Sequence, residues 1–291
     1  MQATVRPRRS ALYVPGSNAR ALEKARELPA DVLLFDLEDA VAPDAKEAAR
    51  ATVAAALGER DRYGPKELVV RVNGLDTPWG HADLAAFAAA GADAILLPKV
   101  ESADAVRRAR AALAAAGAPE TIPLWCMMET PRGILRAEEI ADAPGVACLV
   151  MGTSDLTKDL HALHTGERLP MLVALGTCLL AARAAGIAIL DGVHLDLNDA
   201  EGFRAACRQG RALGFDGKTL IHPSQIGPAN AAFGPDEAAV EQARRIVAAY
   251  AEARARGAGV AVLDGRLVEL LHVREAERLL ALAAAIQERG G

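Results

Sequence analysis

Short aliphatic or β-branched runs alternate along the chain with longer Ala-rich segments of helical period. The runs fall at residues 11–14, 32–37, 68–72, 94–97, 123–128, 147–151, 187–193 and 218–221. Each is short and nearly continuously apolar, as expected of a strand covered on both faces. Their starts are roughly 30 residues apart, the size of one strand–helix unit. The intervening segments carry helix punctuation. Asn18 precedes ARALEKARE and Ser102 precedes ADAVRRARAALAAA, while Gly91, Gly117, Gly186 and Gly214 stand where helices would stop. Eight strands alternating with helices predict a closed (β/α)8 TIM barrel. An open doubly wound sheet would carry a Gly-rich phosphate fingerprint after its first strand, and here that turn reads Pro15-Gly16-Ser17-Asn18. A helix over 236–256 completes the barrel, predicted as residues 1–256. Residues 257–291 are surplus to it. They read as a hairpin turning at Asp264-Gly265, then a helix over 273–288.

Composition narrows the class. Hydrophobic residues make up 52% and charged residues 24% of the 291, which excludes a disordered chain. Aromatics are only 3%, and Ala-rich helices account for much of the apolar content. The net charge of −5, with no basic tract beyond Arg6, Arg8 and Arg9, argues against a nucleic-acid partner. The longest uncharged apolar stretch, 170–182, is too short to span a bilayer. Residues 1–10 lack an apolar signal core. The four cysteines stand far apart with no CxxC, as buried reduced thiols would. The expectation is a cytoplasmic protein with no membrane partner and no structural zinc.

The chemistry is expected where barrel strands end. Read to their ends, the runs supply Tyr13; Asp36, Glu38 and Asp39; Arg71 and Asn73; Lys99; Glu129; Ser154 and Asp155; Asp191 and His194; and His222. Acids converging from several strands repel one another and raise each other's pKa, and a divalent cation resolves that repulsion. Glu129 and Asp155 follow adjacent strands and read as direct ligands of Mg2+, or of Mn2+ in its place. Glu38 and Asp39 would act further round, through water, or else anchor Arg71 or Lys99. Arg71 is the natural electrophile for a carboxylate or 2-oxo acid, unless the neighbouring acids consume it in ion pairs. Lys99 and Lys218 raise a Schiff-base mechanism, which the surrounding acids and the position of Lys218 at a strand start disfavour. No zinc pattern or nucleophile elbow appears; His161 and His164 read as solvated loop residues, and Ser154 as a hydrogen-bond donor.

The segments RSALYVPGSNARALEKA, DVLLFDLEDAVAPDAKEAAR, VVRVNGLDTPWG, ILLPKVES, MMETPRGIL, VMGTSDL and GFDGKTLIHPSQI, followed by VLDGRLVE, occur in that order. Together they resemble the citrate lyase β-subunit-like branch of the HpcH/HpaI aldolase family. The resemblance implies a Mg2+-dependent enzyme that makes or breaks a C–C bond in CoA thioesters of the malyl-CoA, β-methylmalyl-CoA or citramalyl-CoA type, CoA being part of the substrate. It further implies Glu129 and Asp155 as metal ligands, Arg71 as the grip on the oxo acid, Tyr13, Lys24 and His222 as contacts to the CoA ester, Ser154 beside the metal and Asn73 at the site rim. Two departures stand out. Asn18 occupies a position that is basic in many relatives. Glu269 replaces an Asp that, in relatives, enters a neighbouring subunit's site as general acid/base. GRLVE followed by Leu-Leu-His also resembles the (3S)-malyl-CoA thioesterase branch, so hydrolysis is the alternative to retro-aldol cleavage, with a carrier-dependent citryl lyase third. The surplus C-terminal segment would then pack over a neighbour's site in a homotrimer or hexamer. A non-enzymatic scaffold is the remaining rival, and the intact set of Glu129, Asp155 and Arg71 argues against it.

Overall fold

The computed structural model describes residues 5–289. Eight parallel strands, β1 (Ser10–Pro15), β2 (Val32–Asp36), β3 (Glu67–Arg71), β4 (Ala94–Leu97), β5 (Leu124–Met128), β6 (Val146–Met151), β7 (Ala188–Asp191) and β8 (Gly217–Leu220), pair in chain order. β8 returns to β1 through Ser10↔Lys218, Ala11↔Thr219 and Leu12↔Leu220, which closes the barrel. All eight runs became strands, with ends differing by a few residues. The largest change is in β7, which runs over Ala188–Asp191 where the apolar run spans 187–193.

The barrel interior follows from strand alternation. Ala11, Val32, Leu34, Val69, Ala94, Leu96, Trp125, Met127, Cys148, Val150 and Leu190 form one buried cluster. At the N-terminal end, Arg8 stacks 4.8 Å from the Trp125 ring centroid and forks onto Glu67 at 2.7 and 2.8 Å. The helix signals behave as read. Asn18 accepts from the Ala21 amide and Ser102 from that of Ala105. Asn18 thus has a capping role of its own, whatever a basic residue does there in relatives. Gly91, Gly117, Gly186 and Gly214 all adopt positive φ. The four cysteines are free and buried. No described helix is long and apolar enough to cross a membrane.

Arg8–Asn230 forms one compact unit, and the described residues of Met1–Pro7 and Ala231–Gly291 form another. The division falls earlier in the chain than the barrel end expected at residue 256. The reason is packing: the helix Glu237–Ala255 contributes Tyr250 and Ala253 to a buried cluster with Ala261, Val268 and Val273 of the C-terminal segment. That segment is the expected hairpin, β9 (Ala261–Leu263) and β10 (Arg266–Val268), followed by a helix over Leu270–Glu288. Asp264 and Gly265 have φ of 50° and 73°, the paired positive values that a two-residue turn of this hand requires. The last helix starts earlier than expected because Glu269 caps it reciprocally with His272.

Candidate active site

A cleft of about 330 Å³ opens among the C-terminal strand ends, with Tyr13, Asp36, Asp39, Arg71, Glu129, Ser154 and Asp155 on its walls. The alternation that fills the barrel also builds this cleft. Inward positions on β2 run Val32, Leu34, Asp36; on β3, Val69 and Arg71; and from β5 onward, Trp125, Met127, Glu129. The last inward position of each is polar.

Arg71 is 6% exposed, and three acids surround it. Its Nε and Nη2 fork onto Asp36 at 2.6 and 2.7 Å. Nη1 donates to Asp39 at 3.1 Å and lies 2.8 Å from Glu38 Oε2. That last contact is Coulombic only, since Glu38 Oε2 is buried and accepts no hydrogen bond. The guanidinium carbon sits 4.9 Å from the Tyr13 ring centroid. Desolvation works against the charge, but Tyr13, Asp36 and Glu38 outweigh it and hold Arg71 protonated. Burial likewise raises the Tyr13 hydroxyl well above its ordinary value. That hydroxyl is a standing donor whose only partner among the described residues is the weakly accepting Met127 Sδ, at 3.4 Å.

Of the two roles open for Glu38 and Asp39, the structure displays the anchoring one. Glu38 bridges Arg71 and the Lys99 ammonium, and Asp39 holds Arg71 from the solvent side. Asp36, present in the sequence reading only as a strand-end acid, is the principal partner of Arg71. The loop carrying these acids is pinned from below. Asp36 accepts from the amides of Glu38 and Ala40 at 2.9 and 3.1 Å. Lys46 Nζ donates to the carbonyls of Leu37 and Glu38 at 2.8 and 2.7 Å, with the Trp79 ring 5.4 Å away. Asn73 Nδ2 donates to Leu37 O at 3.0 Å and to Asp83 at 2.6 Å. Asn73 therefore supports the acid loop; it and Glu38 line a neighbouring groove rather than the cleft itself. Asp83 is fully buried and also accepts from the Asn73 amide and from Arg50 Nε, at 3.0 and 2.7 Å. Asp83→Ala is expected to cost about 3 kcal/mol in urea unfolding, since it orphans two buried donors and leaves Arg50 unpaired.

Glu129 is 2% exposed, and burial pushes its carboxyl up to about 7. Its Oε1 accepts the Lys99 amide at 2.7 Å. The end of β6 approaches so closely that a Cβ on Gly152 would lie 2.3 Å from Glu129 Cβ and 2.5 Å from its Oε2. Only glycine leaves that carboxylate in place. Asp155 stands in the first turn of the helix Thr153–Asp159, where the amide dipoles favour a negative charge.

Among the described residues, no three carboxylate, imidazole or thiol groups gather around one point. Glu129, Asp155 and Ser154 all line the cleft, and their side chains offer only oxygen donors. That suits Mg2+, which takes one or two carboxylates and keeps several waters. The raised Glu129 carboxyl is an unmet demand for positive charge that a hydrated cation would satisfy. Gly152→Ala is expected to lower Mg2+ affinity by roughly tenfold, read from Mg2+-dependent thermal shifts.

Lys24 and His222 are not among the residues lining the cleft. Lys24 is exposed on the helix Ala19–Ala25. His222 is exposed, with Nδ1 2.8 Å from Ser224 Oγ. Glu269 belongs to the other compact unit and caps its last helix. Asp191, expected among the converging acids, is bound instead by Arg168 Nη1 at 2.7 and 2.8 Å and by Lys218 Nζ at 2.9 Å. The alternation that turns Leu190 inward turns Asp191 outward. Lys218 is thereby spent, and Lys99 is paired with Glu38, so neither is a free amine for a Schiff base.

The chain is 54% identical over 280 residues to a (3S)-malyl-CoA thioesterase of Cereibacter sphaeroides, covering 96% of each. It is 39% identical to the citrate lyase β subunit of Escherichia coli, over 92% of this chain and 90% of that one. The crystal structure of CitE from Mycobacterium tuberculosis in complex with magnesium, acetoacetate and coenzyme A superposes with a TM-score of 0.76 at 33% identity, covering 94% of this chain and 97% of that one. Residues 9–223 match a single family description, and on that match the chain belongs to the HpcH/HpaI aldolase/citrate lyase family.

Proposed function

We propose that the protein is a Mg2+-dependent enzyme acting on (3S)-malyl-CoA or a close 3-hydroxyacyl-CoA thioester, and that hydrolysis to the free acid and CoA is its reaction. The observation that carries this reading is the convergence of Glu129, Asp155 and Arg71 in one cleft. The choice of hydrolysis over cleavage rests on the 54% identity to a thioesterase, against 39% to a lyase subunit. Retro-aldol cleavage, which the sequence motifs put first, is the second reading, favoured by the same cleft and by the family's lyase members.

Glu129 and Asp155 would hold Mg2+, which when bound supplies Lewis-acid polarisation of the substrate's oxygens. Arg71, locked by Asp36, offers a fixed cation for the carboxylate of the acyl group. Tyr13 donates to the oxygen that gains charge when water adds to the thioester carbonyl; the C–S bond then breaks and the thiolate takes a proton. Removing one such preorganised donor costs about 3–4 kcal/mol of transition-state stabilisation. Glu38 and Asp39 keep Arg71 aimed. Lys24 and His222 are assigned to the CoA portion on the strength of the family motifs. Glu269 is assigned as general base, acting in the cleft of a neighbouring subunit of a homotrimer or hexamer, and the assembly is assigned to the cytoplasm.

Purified protein with Mg2+ and (3S)-malyl-CoA tests the reading. Malate with free thiol supports hydrolysis, glyoxylate with acetyl-CoA supports cleavage, and neither product overturns both. Subunit sharing has its own test. Mixing unfolded Glu269→Gln and Glu129→Gln chains and refolding them together is expected to restore part of the activity absent from either alone. No restoration would confine each site to one chain.

A further inference from the structure

Four non-glycine residues among those described adopt positive φ: Lys99 at 48°, His161 at 52°, Arg168 at 54° and Asp264 at 50°. For a residue with a Cβ this conformation costs roughly 1–2 kcal/mol, so the fold must hold it there. Asp264 sits in the hairpin turn, where the conformation is required. Arg168 is clamped onto Asp191. Lys99 differs from both, because each of its ends meets an acid of the candidate site. Its amide donates to Glu129 Oε1 at 2.7 Å, and its ammonium pairs with Glu38 Oε1. Those two acids come from different strands, β5 and β2. Lys99 leaves the barrel between them, after β4 and Pro98, and the next amide, Val100, returns to β5 through Met127 O at 3.3 Å. A residue in ordinary extended or helical backbone would aim its N–H elsewhere.

We propose that Lys99 is a positioning residue with two separable parts: its left-handed backbone aims an amide that fixes one oxygen of Glu129, and its ammonium fixes Glu38 and, through it, Arg71. The backbone part governs metal affinity. The ammonium part governs turnover, because it sets the acid that steadies the cation gripping the substrate. The side chain is exposed and its ammonium pairs with Glu38 at the surface, so its loss leaves no buried cavity.

This inference rests on the proposed function, and substitutions separate the two parts. Glycine keeps the left-handed turn and the amide but removes the ammonium. Alanine tolerates the turn less well, and β-branched valine least. Mg2+ affinity, measured by calorimetry, is expected to stay near the wild-type value in Lys99→Gly. It should fall through Lys99→Ala to a loss of roughly tenfold in Lys99→Val. At saturating Mg2+, Lys99→Gly is expected to lose about tenfold in kcat, and Lys99→Arg to recover most of it. Lys99→Val binding Mg2+ as tightly as Lys99→Gly overturns the backbone part. Lys99→Gly with wild-type kcat overturns the ammonium part. Lys99→Gly relieves the strained backbone and so folds at least as readily as the wild type. A wild-type protein that does not bind Mg2+ overturns the functional reading itself, an outcome separate from both.

Discussion

Glu129→Gln is expected to abolish Mg2+-induced stabilisation and turnover while making the metal-free protein more stable than wild type at pH 8. The two effects share one cause. Burial raises the Glu129 carboxyl from 4.5 to about 7. Between those values the folded wild type keeps a proton that the unfolded chain has released. The stability associated with that proton is fully present below pH 4.5 and is lost as pH rises through about 7. Above pH 7 the folded protein therefore carries an ionised carboxylate in a site that disfavours it, and a cation repays the strain. Gln keeps the shape and the acceptor for the Lys99 amide, removes the charge, and with it the attraction for Mg2+. Thermal unfolding at pH 5 and pH 8, with and without Mg2+, reads both effects. The wild type should gain from Mg2+ at pH 8 and the variant should not. Turnover should fall by more than about 100-fold, the upper end of what losing a mere supporting contact costs. A Gln variant that still gains stability from Mg2+ would remove Glu129 from the metal site.

The barrel was legible because eight apolar runs at unit spacing admit few other folds, and the turn and cap residues agree with it: Asn18, Ser102, the positive-φ glycines and Asp264-Gly265 all serve as read. The direct candidates were legible because barrel chemistry gathers where strands end. Connectivity among the polar groups was harder to read. Asp36 could have been identified as facing inward by counting in twos from Val32 and Leu34, and Asp191 as facing outward by the same count from Leu190. The motif residue Asn73 gave no such hint, since its amide turns to Leu37 O and Asp83, partners set by a loop and a helix rather than by its own strand. Lys46 was invisible for the same reason: a lysine in an Ala-rich helix looks solvated until the carbonyls it pins are seen. Gly152 was unremarkable within VMGTSDL, because only the closeness of Glu129 across the neighbouring strand makes its missing side chain matter. The compact units divide earlier than residue 256 because the helix over Glu237–Ala255 continues the barrel's rhythm in sequence while its buried face packs on the C-terminal segment.

Arg71→Met is expected to destabilise the protein by about 3–5 kcal/mol and to reduce kcat/KM by several orders of magnitude. The stability loss comes from Asp36, which is 1% exposed and would be left as an uncompensated buried charge. Glu38 and Asp39 lose the same counter-charge, though Lys99 still serves Glu38. The activity loss has a different origin, the absence of a cation for the substrate's carboxylate. A second substitution separates them. Asn in place of Asp36 keeps an oxygen for the Glu38 amide and carries no charge, so Arg71→Met/Asp36→Asn should recover most of the stability in urea unfolding. It should recover none of the turnover, because the cleft still lacks its fixed cation. Asp36→Asn alone would retain Arg71 but loosen its fork, and should lose activity mainly as a fall in kcat, with the substrate's charge still met. If the double variant regained turnover along with stability, Arg71 would be a structural counter-ion to Asp36 and the grip on the acyl carboxylate would have to be sought elsewhere in the cleft.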